Sequence, residues 1–430
     1  MHTLRTLAVL CLSLGLSACT SVTSTSMTNL SSAYRSVIEQ YSNENILLNV
    51  VRSSRNMPMS FLDIPSVVGT GSVVTEASAN VNVLSRDPGT FGGFFAPGAG
   101  SSVGASAGMA VNNGFTFTQA SLDNAEFMKS FLKPIPVGVV GFRGTQQLLP
   151  RAVSYTLLIE SIELQSKGNV VSRFQNNPDD PNYKSFQDLL YVLIESGLTV
   201  ESIPKKMPIG PALLHSEISK TLETLGQPLL NGLTNGGVVI DKVAGASPAR
   251  YQISRVEEKT ILCVNRYRAY ELLGDLLSTD AFCIDSPRYV RANNDDFKKL
   301  VTGFTKNFPE QKDMALVITL RSAANVFNFL GRVVRAQLDP VDPKTVMIQP
   351  GAGVLDPFNK RYFQPQPLFK VYKNAKLQNS VATVLYNRDI YQIDDEDESY
   401  SKQVLEFMSS LLTVSKIPGA IPSSPAVIVR

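Results

Sequence analysis

The chain has 430 residues and a formal net charge of +3, a balance that supports no nucleic-acid or polyanion partner. It has no tryptophan and two histidines, one of them at position 2, so the common histidine-based metal clusters are excluded. The length exceeds what one hydrophobic core serves, and more than one domain is expected.

Residues 1–18 read as a targeting segment. His2 and Arg5 give a short polar, positive start, and Leu7 to Leu16 is apolar but too short to span a bilayer permanently. Leu16-Ser17-Ala18-Cys19 follows. A signal peptide ends on small residues, and one followed at once by cysteine has the pattern of a lipoprotein box. The Cys19 thiol is expected to accept a diacylglycerol, and two or three acyl chains, palmitate among them, anchor a protein stably where one does not. Thr20 in place of aspartate resembles the outer-membrane sorting class of enteric bacteria. No later apolar run approaches the roughly 20 residues of a transmembrane helix. The mature body is therefore expected in the cell envelope, on the periplasmic side in preference to the surface.

Loss of Cys11 with the signal and lipidation of Cys19 leave Cys263 and Cys283. In an oxidising compartment this pair is a disulfide candidate; two buried free thiols are the alternative. Neither cysteine has a CxxC partner and His215 stands alone, so no metal or other cofactor is expected.

Behind the lipid, residues 19–28 form a polar leash. Leu30, Ala33, Tyr34, Val37, Ile38, Tyr41, Leu47, Leu48 and Val51 recur at helical steps and predict a helix to about Arg55, stopped by Asn56 and Pro58. A short strand is expected over Phe61 to Ile64. Period-two alternation follows in two stretches. From Gly71 to Val83 the odd positions carry Val73, Thr75, Ala77, Ala79, Val81 and Val83, with Ser72, Val74, Glu76, Ser78, Asn80 and Asn82 between them. From Val103 to Phe117 they carry Val103, Ala105, Ala107, Met109, Val111, Asn113, Phe115 and Phe117. The even positions of this second stretch are Gly, Ser, Ala, Asn and Thr. A Gly/Pro/Phe loop joins the two, and no charged residue occurs between Asp87 and Asp123.

Two readings of this hairpin, 71–117, compete. It covers the core of a periplasmic domain, or it enters a membrane, where a transmembrane strand needs about nine to eleven alternating residues. The polar face favours the second, because solvated strands and edges are usually defended by charge. One hairpin cannot span alone, since its edges would leave backbone groups unpaired in hydrocarbon. Several copies would have to share a barrel with Val73, Ala77, Val81, Val83, Val103, Ala107, Met109, Val111, Phe115 and Phe117 toward lipid.

Beyond the hairpin, Ala120 to Leu132 is expected as a helix and Val153 to Glu163 as a strand. Asn176 to Asn182 is a polar turn that lacks calcium-loop spacing. Helices are predicted over Phe186 to Ser196 and Leu213 to Leu225, and strands over Val238 to Lys242, Arg250 to Val256 and Thr260 to Tyr267, with Glu257-Glu258-Lys259 as a turn. Further helices are expected at Ala269 to Leu277 and Asp295 to Phe304. Met314 to Leu320 is a strand running into a helix, Arg321 to Leu338, with Ala324, Phe327, Leu330, Val334 and Leu338 as its buried stripe. Leu368 to Tyr372, Ser380 to Tyr386 and Asp389 to Ile393 predict a small antiparallel sheet, and Tyr400 to Ser415 a last helix. The class is α+β: a signal at 1–18, a leash at 19–28, a domain at 29–235 carrying the hairpin, and a C-terminal domain at 236–430.

No GxSxG, HExxH or GxxxxGK[ST] motif occurs, so an enzyme is not the leading expectation; a hydrolase using carboxylates assembled by the fold is the weakest of three readings. Four places carry a likeness to known proteins: Asn45-Ile46-Leu47-Leu48-Asn49-Val50-Val51-Arg52 with Pro58 and Phe61-Leu62; Phe131-Leu132-Lys133-Pro134-Ile135-Pro136; Leu320-Arg321-Ser322 running into Phe329-Leu330-Gly331-Arg332-Val333-Val334-Arg335; and Leu405, Leu411 and Leu412 with Pro422 and Pro425-Ala426-Val427. On these the chain resembles a family of poorly characterised proteobacterial outer-membrane lipoproteins. That resemblance implies an envelope lipoprotein and hands over no catalytic residue. The leading expectation is a structural or assembly component of an envelope complex, an oligomeric export-channel subunit in its sharpest form, with protein partners or copies of itself. In architecture alone that form resembles the curli-type secretion pore. A monomeric lipoprotein binding an envelope ligand is the second reading.

Overall fold

The computed structural model describes residues 35–80, 104–122, 124–139, 150–218, 237–286, 301–306, 311–349 and 365–416, with a few isolated positions besides. Cys19, the leash and the C-terminal tail lie outside the described residues. The chain is α+β, and it divides into two compact units: residues 60–124 with 417–430, and the remainder to 416.

The smaller unit is built on two strands. β1 (Leu62–Asn80) and β2 (Gly104–Ser121) pair antiparallel. The short strand expected to end before Pro65 instead continues for 19 residues. The ladder is irregular between Asp63 and Ser66, and a bulge is where a strand tolerates a proline without a lost ladder bond. At the other end, Ala120 and Ser121 finish β2, not the predicted helix, which starts at Ala125.

In the larger unit α6 (Ala323–Gln337) is central, with ten of fifteen residues buried. Around it in chain order come α1 (35–54), α2 (Ala125–Leu132), α3 (Arg151–Leu158), α4 (Tyr183–Glu195), α5 (Arg266–Leu273) and, after it, α7 (Ser401–Ser415). Of the expected α6 stripe, Ala324, Phe327, Leu330 and Val334 are buried, whereas Leu338 falls at the C-cap and is half-buried. Ser322 caps it by accepting the Asn325 N–H at 3.1 Å. α1 buries Ile46, Leu47, Val50 and Val51, while Val37 and Ile38, expected on its stripe, are exposed. It meets α6 so closely that a Cβ at Gly331 would stand 2.8 Å from the Ser53 carbonyl carbon. Only glycine fits that crossing. Phe131 of α2 packs 5.9 Å from Phe327 of α6, centroid to centroid.

Of the strand expected over Val153 to Glu163, the part from Ile159 on is strand, but residues 153–158 are helical because the segment is buried on every side: Ala152 through Leu158 are all buried. Such a segment shows no polar face whose period reads as 3.6. β3 (Ile159–Ser166) continues directly from α3 and lies between β4 (Asn169–Gln175) and β9 (Ala315–Leu320). A second sheet pairs β8 (Arg250–Cys263) with β5 (Thr199–Pro208), β6 (Leu213–Leu214) and β7 (Val238–Lys242). β8 is one strand of 14 residues where two were expected. Glu257 lies in mid-strand with the opposite charge of Lys205 across from it in the register, where a turn was predicted. Leu213 and Leu214, expected to open a helix, form β6, and the helix starts at His215. α5 begins three residues before its expected start and stops at Gly274.

The last part holds β10 (Met347–Ile348) with β11 (Gln366–Pro367), and a three-stranded antiparallel sheet of β12 (Tyr372–Lys373), β14 (Asp389–Asp394) and β13 (Ser380–Tyr386) in that order. Both the β3–β9 and the β5–β8 pairings join residues on either side of the expected 235/236 division. The chain therefore does not part there. The hairpin unit separates instead.

Candidate functional site

Three places bear on function: the β1–β2 ribbon, the cystine, and a polar cleft beside α6.

In the ribbon the register sums to a constant, so odd positions oppose odd positions from Val67 with Phe117 to Ala79 with Ala105. Val73 stands opposite Val111, Ala77 opposite Ala107, Met109 opposite Thr75, and Phe115 opposite Gly69. One face thus collects the apolar positions, since alternate residues of a strand share a face. The other collects mostly Ser, Thr, Asn and Gly, with Val68, with Val74 opposite Ala110, and with one acid, Glu76, opposite Gly108. Val81, Val83 and Val103 lie outside the described residues. From Ser66 to Asn80 the ladder is unbroken, about 50 Å at roughly 3.3 Å per residue. That exceeds the nine to eleven residues of a membrane-crossing strand. Among the described residues neither outer edge has a strand neighbour. No described helix is long and apolar enough to cross a membrane.

Cys263, the last residue of β8, is disulfide-bonded to Cys283, their Cα atoms 5.0 Å apart. The bond ties the sheet to the segment after the short 3-10 turn Thr279–Ala281. Glu201 of β5 accepts the backbone N–H groups of Ile284 and Asp285 at 2.8 and 2.9 Å, and its Oε2 lies 3.7 Å from Cys263 Sγ. Three ligand-type atoms meet here within 4.8 Å. The two sulfurs are bonded to each other, so the carboxylate alone is free to ligate.

The cleft lies where α3 passes into β3 and α6 begins. Its cavity, about 80 Å³, is lined by Glu160, Gln175, Asn176, Asn177, Arg321, Asn325, Asn328, Phe329 and Arg332. Arg321 is 3 % exposed. Its Nη1 donates to the Thr156 and Leu157 carbonyls at 3.0 and 2.9 Å, and its Nη2 to the Asn176 carbonyl. Asn176 Nδ2 in turn donates to Thr156 O and Ile159 O, both at 2.7 Å. These are the carbonyls left over where α3 ends, and a cation is favoured at that end of a helix. The guanidinium also lies 3.9 Å over the Phe329 ring. Burial brings its pKa down to about 9, so it stays protonated at neutral pH. Tyr183, beside it, is held well above the usual phenol range by burial.

His215 is exposed at a helix start with its ring 5.7 Å from Tyr251. Asp179 and Asp180, adjacent acids in the polar turn, go to different partners. Asp179 pairs with Arg335 at 3.2 Å and Asp180 accepts the Asn182 N–H at 2.8 Å. The cleft was not found from sequence as a site. The signal present was a lone charge, Arg321, inside the otherwise uncharged run Leu316 to Phe327.

No protein-family model matches the chain, and neither a curated protein nor a solved structure matches it.

Proposed function

We propose that the chain is an envelope lipoprotein, tethered through Cys19 and resembling the outer-membrane family described above, whose work is structural. Copies assemble with one another, and each contributes its β1–β2 ribbon to a shared membrane barrel that serves export. The observation that supports this reading is the ribbon itself. A lone two-stranded ribbon is marginal in water, and its small, nearly uncharged polar positions do not defend an edge as soluble sheets do. Apolar positions kept in phase across both strands suit a lipid face, and the opposite face suits a lumen. Because backbone groups must all be paired in hydrocarbon, both edges require neighbours. A hairpin offers β1 on one side and β2 on the other, so head-to-tail copies continue the antiparallel order until a ring closes.

Val73→Asp combined with Val111→Asp tests the reading, since the two residues face each other across the ladder. A pair of acids on the lipid face is expected to abolish carbonate-resistant membrane association while the larger unit keeps its circular-dichroism spectrum. Unchanged carbonate resistance and unchanged assembly in that variant would mean that the ribbon does not enter the membrane.

A further inference from the structure

The cleft beside α6 plays no part in the assembly reading, yet its charges are unusual. Two arginines, Arg321 and Arg332, line one cavity with a single carboxylate, Glu160, so the lining carries two positive charges against one negative. Among the described residues neither arginine forms an ion pair; Glu160 favours the charge on Arg321 and Arg332 disfavours it. Like charges held together are unfavourable unless an anion offsets them. The hydrogen bonds of Arg321 are spent on three carbonyls, so it supplies potential while the exposed Arg332 remains available for direct contact. Gln175, Asn177, Asn325 and Asn328 line the same cavity, and each carries an NH2 that can donate. The space, about 80 Å³, is larger than the roughly 10–15 Å³ that admits one water.

We propose that this cavity binds a small oxyanion, a carboxylate or phosphate group, held by Arg332 and the surrounding side-chain amides in the positive potential of Arg321. Arg332 is the specificity-bearing residue because a planar fork of donors matches two oxygens of one anion. Arg321 acts through its charge and through the shape it gives the α3–β3 corner. Glu160 opposes the anion and sets its affinity below what two arginines alone would give.

The test is calorimetric titration of the full-length lipidated protein in detergent with inorganic phosphate and, separately, acetate, at constant ionic strength. Saturable binding of one anion per chain is expected for at least one of them, weakening as salt is added; which anion binds more tightly tells phosphate from carboxylate recognition. Arg332→Gln should weaken it at least tenfold, Glu160→Gln should tighten it several-fold, and the distant control Lys402→Gln, with the same loss of one positive charge, should leave it unchanged. Absence of saturable binding by both anions at millimolar concentrations overturns the proposal. So does an affinity that Arg332→Gln leaves intact in a variant with the wild-type circular-dichroism spectrum. Neither result touches the assembly reading, which rests on the ribbon alone.

Discussion

Arg321 holds together a corner that helix and strand geometry leave open. A helix that turns straight into a strand exposes its last carbonyls, and here one guanidinium and one amide gather them: Thr156 and Leu157 go to Arg321, which also takes the Asn176 carbonyl just after β4, and Thr156 and Ile159 go to the Asn176 amide. Truncating one partner of a buried hydrogen-bonded set leaves the others unpaired, at about 1–3 kcal/mol for each group. Thr156 O keeps its bond from Asn176, so Arg321→Leu leaves the Leu157 and Asn176 carbonyls unpaired and is expected to lower unfolding stability by at least ~2 kcal/mol in denaturant titration. Arg321→Lys should restore less than half of that, because an ammonium lacks the planar fork that reaches three carbonyls. None of this was legible in the sequence, where Arg321 reads as the first residue of a helix. The carbonyls it meets belong to a segment 145 to 165 positions away. Gly331, by contrast, stands in a helical run where a missing side chain asks for a close neighbour, although only the fold shows that neighbour to be Ser53.

At the scale of elements, spacing was informative wherever one face is wet. β7, β9, α6 and α7 fall within a residue or two of their expected bounds, and each has a polar side or a cap to mark it. It failed at α3, which is buried all round, and at β8, where Glu257-Glu258-Lys259 reads as a turn until Lys205 is seen across the ladder. Partnering across strands is not written in local sequence. The cystine agrees with the expectation for the pair that remains once Cys11 and Cys19 are set aside, and its two cysteines stand 20 positions apart, between the end of β8 and the segment after the 3-10 turn. Reducing it, or replacing both cysteines with alanine, should remove about 3 kcal/mol of stability on the loop-entropy account, read as a lower denaturation midpoint with reductant than without.

Ion pairs between elements set the acid limit. Asp389 of β14 is held below the usual carboxylate range by hydrogen bonds from Lys373 and Asn374, with Arg55 of α1 adding its charge. Glu163 of β3 is lowered by Gln165 and Arg173, and Asp339 by the backbone N–H groups of Val341 and Asp342. For a carboxylate whose folded pKa is depressed, the stabilisation is complete above its unfolded value, near 4, and is lost as pH falls through the folded one. The denaturation midpoint should then stay flat from about pH 7 to about pH 5 and drop below about pH 4. Asp389→Asn should blunt that drop. A midpoint that rises on acidification would contradict the assignment.

For the whole molecule, the class and the ribbon were readable from alternation, whereas the division of the chain was not. Sheets that reach across residues 235 and 236 unite two segments expected to be separate domains, and the ribbon forms its own unit. The 17 register pairs of the ribbon hold two acids, Asp63 and Glu76, and no base, a composition that on the proposed reading suits lipid and copies of itself better than water. That places the central claim on assembly. It is tested most directly by light scattering with negative-stain imaging on the detergent-extracted, lipidated protein. The account predicts a ring of fixed stoichiometry whose membrane-embedded part resists carbonate extraction; a particle of one chain's mass, released from membranes once Cys19 is replaced, would contradict it.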